Sequence, residues 1–243
     1  MARLLTALCF ILFAAPGAQA QTFNGQEQAE IRAIVREYLV NNPDVLREAL
    51  NSLQERTTAE RVRRAERDPR DFSIGPRDAP ITIVEFFDYR CPYCVAAMPW
   101  VLDVIHTRRD VRFVFKEMPI FELHGNPAVE ASRASIAAMP QGRYLQFHQA
   151  LMEFTGELTS ERIDQLARQS GIDVPRMRRA MDQQEIVAVL EENSELAMDL
   201  SGARATPTFL INGEVVQGAN MRELQARLRE ATREVRERRG SGR

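Results

Sequence analysis

Two cysteines three positions apart, Cys91 and Cys94, lie in VEFFDYRCPYCVAAMPW, between an apolar run of strand length and an apolar pattern of helical period. No other feature restricts the chain as much. A cysteine at the start of a helix sits at the positive end of the backbone dipole, beside N–H groups that have no intrahelical partner. Both influences favour thiolate over thiol, so Cys91 is expected to have a depressed pKa and to be the attacking sulfur. Cys94, one turn further in, is placed to attack the mixed disulfide that Cys91 forms with a substrate. Pro92 suits the first helical turn, where its missing N–H is not needed. Together with Tyr93 it fills the segment that tunes redox poise in such motifs, and both residues are expected on the substrate-binding side.

Other uses of the pair fit less well. A structural bridge closing so small a loop would constrain little of the unfolded chain. A zinc half-site would need further ligands at regular spacing, and His106, His124 and His148 are scattered without a second cysteine pair. The strand-before, helix-after setting also argues against a chance CxxC. No metal ligand set is expected.

The N-terminus sets the redox compartment. One basic residue, Arg3, precedes an apolar run from Leu4 to Ala15 and the small-residue tripeptide Ala18-Gln19-Ala20, the pattern of a secretory signal peptide over residues 1–20. Of three cysteines in the sequence, Cys9 would leave with it, so only Cys91 and Cys94 would meet an oxidising environment. A framework of structural disulfides is excluded by that count. The formal charge of −2 gives no case for nucleic acid as a partner.

Residues 21–68 read as an N-terminal helical region. Ile31, Ile34, Val35 and Tyr38 form one stripe and Val45, Leu46, Ala49, Leu50 and Leu53 another, with Asn42-Pro43 dividing two helices. Such stripes ask for cover: self-association through residues 26–67 is the expected way to provide it, and folding back on the globular part is the alternative. Residues 69–80, with Asp71, Gly75, Pro76 and Pro80, read as a linker. Two strands follow, Ile81–Phe87 and Val111–Phe115, joined by a helix from Cys94 to about Thr107 that Pro99 should kink; this is the first part of an α/β domain, residues 81–125. Residues 126–202 are helical throughout. From 203 to 238 the pattern returns to strands, with Thr208–Ile211 and Glu214–Gln217 flanking the hairpin signal Asn212-Gly213, then a final helix capped by Asn220 and a tail over 239–243.

Glu85 stands in the middle of the apolar strand, six residues before Cys91. Burying a carboxylate there is costly unless it is paired or protonated. The expectation is that it lies beneath the cysteines and handles the proton of Cys94 during exchange. Lys116, the only lysine in the sequence, ends the neighbouring strand and is a candidate partner for that acid. His148, on an apolar helical face, is expected as a core residue. By frequency alone the Thr206–Pro207 bond would be trans.

Val84-Glu-Phe-Phe-Asp-Tyr-Arg-Cys-Pro-Tyr-Cys94, a helical insertion and then Thr206-Pro207-Thr208-Phe209 resemble the DsbA family of thioredoxin-fold thiol-disulfide oxidoreductases over roughly residues 74–236. The resemblance implies a thioredoxin-like α/β fold with an inserted all-helical subdomain. It also implies that Cys91 is the nucleophile, Cys94 the resolving cysteine and Glu85 the buried acid, with Pro207 a cis-proline opposite the cysteines and Thr206 shaping substrate selection. Pro-Tyr between the cysteines and the N-terminal helices are similar to the ScsC-type subgroup, associated with copper-stress tolerance, whose N-terminal helices oligomerise the catalytic domains.

The function expected is periplasmic thiol-disulfide interchange: formation, isomerisation or reduction of disulfides in unfolded or misoxidised exported proteins. A membrane redox partner would recycle the cysteines. No cofactor is needed, because the cysteine pair carries two electrons itself. Two rivals are a periplasmic protein that holds copper(I) on the same two thiolates, and a binding module with a vestigial CxxC.

Overall fold

The computed structural model describes residues 23–120 and 127–241. The expected signal peptide, Cys9 and His124 lie outside the described residues. Two compact units are formed, Met1–Leu53 and Gln54–Arg243.

The first unit holds helix α1 (Gly25–Asn41) and the start of α2 (Pro43–Arg67). Asn24 caps α1 with its side chain accepting from the N–H groups of Gln26 and Glu27, while the Glu27 carboxylate accepts from the Asn24 N–H at 2.8 Å. That reciprocal box fixes where the helix begins. Asn42 ends it, with its side chain donating to the Tyr38 carbonyl at 2.8 Å, and Pro43 opens α2. Ile31, Ile34, Val35, Tyr38, Leu46, Leu50 and Leu53 are all exposed.

The second unit begins within α2. Val62 packs on the second core cluster and Ala65 is fully buried in it, so the charged half of this helix is only partly solvated. The stretch expected as a linker contains a strand, β1 (Phe72–Ile74), antiparallel to β3 (Val111–Glu117). Only three residues long, β1 shows no readable alternation; Phe72 stacks on Tyr144 with centroids 4.3 Å apart. Gly75, at φ +102°, ends it where a side chain would collide with the Val111 carbonyl.

Strand β2 (Ile81–Phe87) is the centre of a five-stranded sheet of order β1-β3-β2-β4-β5, where β4 is Thr208–Ile211 and β5 is Glu214–Gln217. It runs parallel to β3 and antiparallel to β4, and every one of its residues is buried. Between β2 and β3 lies α3 (Pro92–Thr107), which contains Pro99. The insertion comprises α4 (Pro127–Ala138), a single 3-10 turn over Met139–Gln141, α5 (Tyr144–Glu153), α6 (Ser160–Gln169), α7 (Val174–Met181) and α8 (Gln184–Ser201). Helix α9 (Met221–Ser241) is the last described element, with Asn220 Oδ1 accepting from the Glu223 N–H.

Alternation along the strands divides the core. Ile81, Ile83 and Phe87 join Phe113, Phe115, α3, α9 and much of the insertion on one face; Val84 and Phe86 join Val114, Leu210, Ala65 and the end of α8 on the other. The hairpin between β4 and β5 turns at Asn212 and Gly213, both at positive φ, and the Asn212 side chain accepts from the Thr82 N–H at 2.9 Å. That bond ties the turn to β2.

Candidate active site

Cys91 is the N-cap of α3, with extended backbone, and Pro92 follows at the first helical position. Its carbonyl accepts from the N–H groups of Cys94 (3.1 Å) and Val95 (3.2 Å), which places Cys94 one turn inside. Three residues, Asp88 to Arg90, carry the chain from β2 to this cap. The buried Asp88 carboxylate accepts from the N–H of Arg90 at 2.6 Å and of Ile120 at 2.9 Å, and the Asp88 carbonyl accepts from the Cys91 N–H at 3.1 Å. The loop is therefore set by hydrogen bonds on both sides.

The two cysteines are free thiols in unequal surroundings. Cys91 keeps 5% of its surface exposed and Cys94 1%, so Cys91 is the outer sulfur. A hydrogen bond from the Cys94 thiol is the largest influence on Cys91. With further support from Thr206 and the N–H groups of Cys94 and Tyr93, it outweighs burial and holds the Cys91 thiol down to about 6, against an ordinary 9.0. For Cys94 the balance reverses: burial, then the bond it gives to Cys91, then repulsion by Glu85 push its pKa far up. One thiol is prepared to ionise and the other to stay protonated.

The residue before Pro207 reaches this pair. The Thr206–Pro207 bond is cis, the isomer implied by the family resemblance and opposite to what frequency favours, and Cys91 Sγ lies 3.2 Å from the Thr206 carbonyl oxygen. The Thr206 hydroxyl is buried, makes no hydrogen bond within the protein that meets ordinary geometry, and is among the groups that hold the Cys91 thiol down. Pro92 and Tyr93 are exposed beside the cysteines, where an incoming chain would meet them.

Glu85 is 1% exposed, in register with Phe115 on β3 and Phe209 on β4, on the sheet face that α3 covers. Its Oε2 has no hydrogen-bond partner. Burial and then repulsion by Cys91 push its carboxyl up to about 8. An acid near neutrality thus lies under the sulfurs.

Lys116 does not pair with it. In the parallel register Lys116 sits opposite Phe86, one residue on from the Glu85–Phe115 row, so its side chain leaves the other face of the sheet. There it meets Asp71 at 2.5 Å, both groups nearly sealed from solvent. Burial pushes the Asp71 carboxyl up to about 6 although Lys116 opposes that rise. Asp71 was concealed in a stretch read as linker; the signal available was that a lone buried lysine requires an acid.

A further polar group lies behind the loop. Glu117, next to Lys116 but on the opposite face, accepts from the hydroxyls of Tyr89 and Tyr144, each at 2.8 Å, and burial pushes its carboxyl up to about 8. His148 is fully buried, as expected of a core residue, and burial holds its imidazole down to about 3. Two adjacent charged residues at a strand end, one for each face, were the sequence signal for this group. Among the described residues no group of three or more His, Cys, Asp or Glu is disposed to hold a metal ion.

Comparison with known proteins agrees with the fold. The family described as Thioredoxin matches residues 67–230, and the family described as Copper resistance protein ScsC N-terminal domain matches residues 27–60. A thioredoxin-like oxidoreductase from Silicibacter pomeroyi is 34% identical, with a TM-score of 0.65 over 70% of this chain and 97% of that one. ScsC from Proteus mirabilis, in a transitional conformation, is 26% identical, with a TM-score of 0.63 over 86% of this chain and 96% of that one. A Na(+)/H(+) antiporter from Salinispora arenicola is 35% identical over 162 residues, 65% of this chain; the chain spans about a quarter, 24%, of that relative's length.

Proposed function

The chain belongs to the thioredoxin family and carries an N-terminal segment of the ScsC type; on that premise we propose that it is a periplasmic thiol-disulfide oxidoreductase acting on exported polypeptides. The observation that carries this reading is the unequal cysteine pair: an outer sulfur at a helix N-cap, 3.2 Å from the carbonyl before Pro207, with a protonated thiol one turn behind it. The Cys91 thiolate attacks a substrate disulfide, forming a mixed disulfide and releasing one substrate thiolate. Cys94 then loses its proton and attacks Cys91 Sγ, releasing the second substrate thiolate. The substrate gains two electrons and the enzyme ends as the Cys91–Cys94 disulfide. In reverse, a substrate thiolate attacks that disulfide at Cys91 and Cys94 leaves, taking a proton. Glu85 is suited to both directions, because an acid near the working pH can give or accept that proton. In isomerisation a second substrate thiolate, rather than Cys94, displaces Cys91. No other cofactor enters.

The exposed stripes of α1 and the first half of α2 support self-association, which would bring several cysteine pairs to one misoxidised substrate. A membrane thiol-disulfide partner would restore the working redox state. The deciding experiment assays refolding of a scrambled substrate and oxidation of a reduced one, using wild type, Cys91→Ser and a variant lacking residues 21–53. That deletion stops short of Ala65, so the second unit keeps its core. Cys91→Ser is expected to abolish both activities, and full activity of that variant would end the reading. The deletion is expected to reduce mass in light scattering to that of one chain and to abolish refolding of scrambled substrate while oxidation persists.

A further inference from the structure

Tyr89, two residues before the outer cysteine, has its hydroxyl turned away from the sulfurs and into the insertion. The oxygen lies 2.8 Å from Glu117 Oε1, 2.9 Å from Ser135 Oγ and 3.2 Å from His148 Nδ1. A phenol has one proton to give and two lone pairs with which to accept. With the proton given to Glu117, Ser135 Oγ–H and His148 Nδ1–H are the two donors. In that arrangement His148 Nδ1 carries the proton and Nε2, buried without a partner, is bare. It also accords with an imidazole kept neutral by burial. The hydroxyl is thus saturated by residues of β3, α4 and α5. The ring is held separately, edge-on to Phe87 with centroids 5.3 Å apart.

We propose that Tyr89 is a positioning residue through which the helical insertion fixes the loop that presents Cys91. The loop has two tethers of opposite direction. Asp88 holds its backbone to Cys91, Arg90 and Ile120, while Tyr89 holds its side to Glu117, Ser135 and His148. Releasing the second tether frees the cap residue to move relative to Cys94, Thr206 and the first N–H groups of α3. Hydrogen bonds to a sulfur anion weaken with small losses of distance and angle, so the first property to respond is the ease with which Cys91 ionises. The ring packing does not depend on the hydroxyl, which separates this role from simple core filling.

The inference rests on Cys91 being the reactive sulfur, and its test reads that sulfur directly. Iodoacetamide alkylation of the reduced full chain is followed against pH for wild type, Tyr89→Phe, Glu117→Gln and Ser135→Ala, with thermal unfolding measured on each. Tyr89→Phe is expected to move the alkylation midpoint up by about half a unit and to slow alkylation at pH 6 by about 2-fold, because the reacting fraction follows the thiolate. Glu117→Gln keeps an acceptor for the phenol and should leave the midpoint close to that of wild type. Ser135→Ala removes one donor and should shift it in the same direction as Tyr89→Phe, by less. A Tyr89→Phe protein that unfolds more easily but titrates like wild type overturns the proposal. If that variant does not fold, an unmoved midpoint in Ser135→Ala overturns it instead. A wild-type midpoint in the range of an ordinary thiol would instead overturn the reading of Cys91 itself.

Discussion

The two faces of the sheet each bury an ionisable side chain at adjacent rows of the β2–β3 register, and they treat it in opposite ways. On the face away from α3, Lys116 is matched by Asp71 at 2.5 Å. On the face under α3, Glu85 has no counter-charge and one carboxylate oxygen without a hydrogen bond. A matched pair is held by its own attraction, with Lys116 opposing the rise that burial imposes on Asp71, and its removal is felt as lost stability. An unmatched acid is held near neutrality at the expense of stability, and it can exchange a proton. The difference separates architecture from chemistry within a single pair of strands.

The largest expected effect tests the architectural side. Lys116→Met leaves Asp71 buried without its cation, and loss of one partner of a buried pair typically costs about 3–5 kcal/mol. Urea unfolding at pH 7 should show a loss of that order, while alkylation of Cys91 keeps its pH midpoint. A Cys91 titration that moves with Lys116→Met would join the two faces and end the comparison.

Glu85→Gln should act in the other direction. The carboxyl of Glu85 lies at about 8 in the folded protein against an ordinary 4.5. A raised pKa means that stability is fully present below about 4.5 and is lost as pH rises through about 8. The variant lacks that loss. Its advantage over wild type should therefore grow between those limits at up to about 1.4 kcal/mol per pH unit, reaching about 3 kcal/mol at pH 7 relative to acid. Because the slope is compared, any constant penalty for burying the amide drops out. Parallel pH profiles would mean that Glu85 is ionised and satisfied like Asp71.

Much of this was readable from the sequence wherever neighbours in the chain are neighbours in space. The cysteine pair at a strand-to-helix junction, the seven-residue central strand and the Asn212-Gly213 hairpin are local patterns, and the structure has each of them in place. What escaped depends on pairs far apart in sequence. Lys116 looked like a partner for Glu85 because both stand in neighbouring strands. A shift of one residue in register reverses the face, and only the alignment of Phe86 with Lys116 decides it. β1 was hidden because three residues beside Gly75 and Pro76 carry turn signals and no period. Glu117, Tyr89 and Tyr144 meet only after the insertion folds over the end of β3.

The smallest effect is the sharpest test of the chemical side. Cys91 alkylation in wild type should rise with pH about a midpoint near 6, since the thiol is held there chiefly by the Cys94 hydrogen bond. Between about 6 and 8 the thiolate would therefore coexist with a protonated Glu85, and Cys91 is among the groups whose charge raises that acid. Repulsion between two sites is reciprocal, so Glu85 must in turn hinder Cys91 wherever Glu85 is ionised. At the Cys91 midpoint Glu85 is almost wholly protonated, and removing its charge can change little there. Glu85→Gln should leave the lower part of the alkylation curve in place and sharpen only its approach to the plateau above pH 7. A downward shift of a full unit in the midpoint would mean that Glu85 is already ionised near pH 6. In that case the acid under the sulfurs would be a fixed charge, and the proton of Cys94 would have to travel by another route.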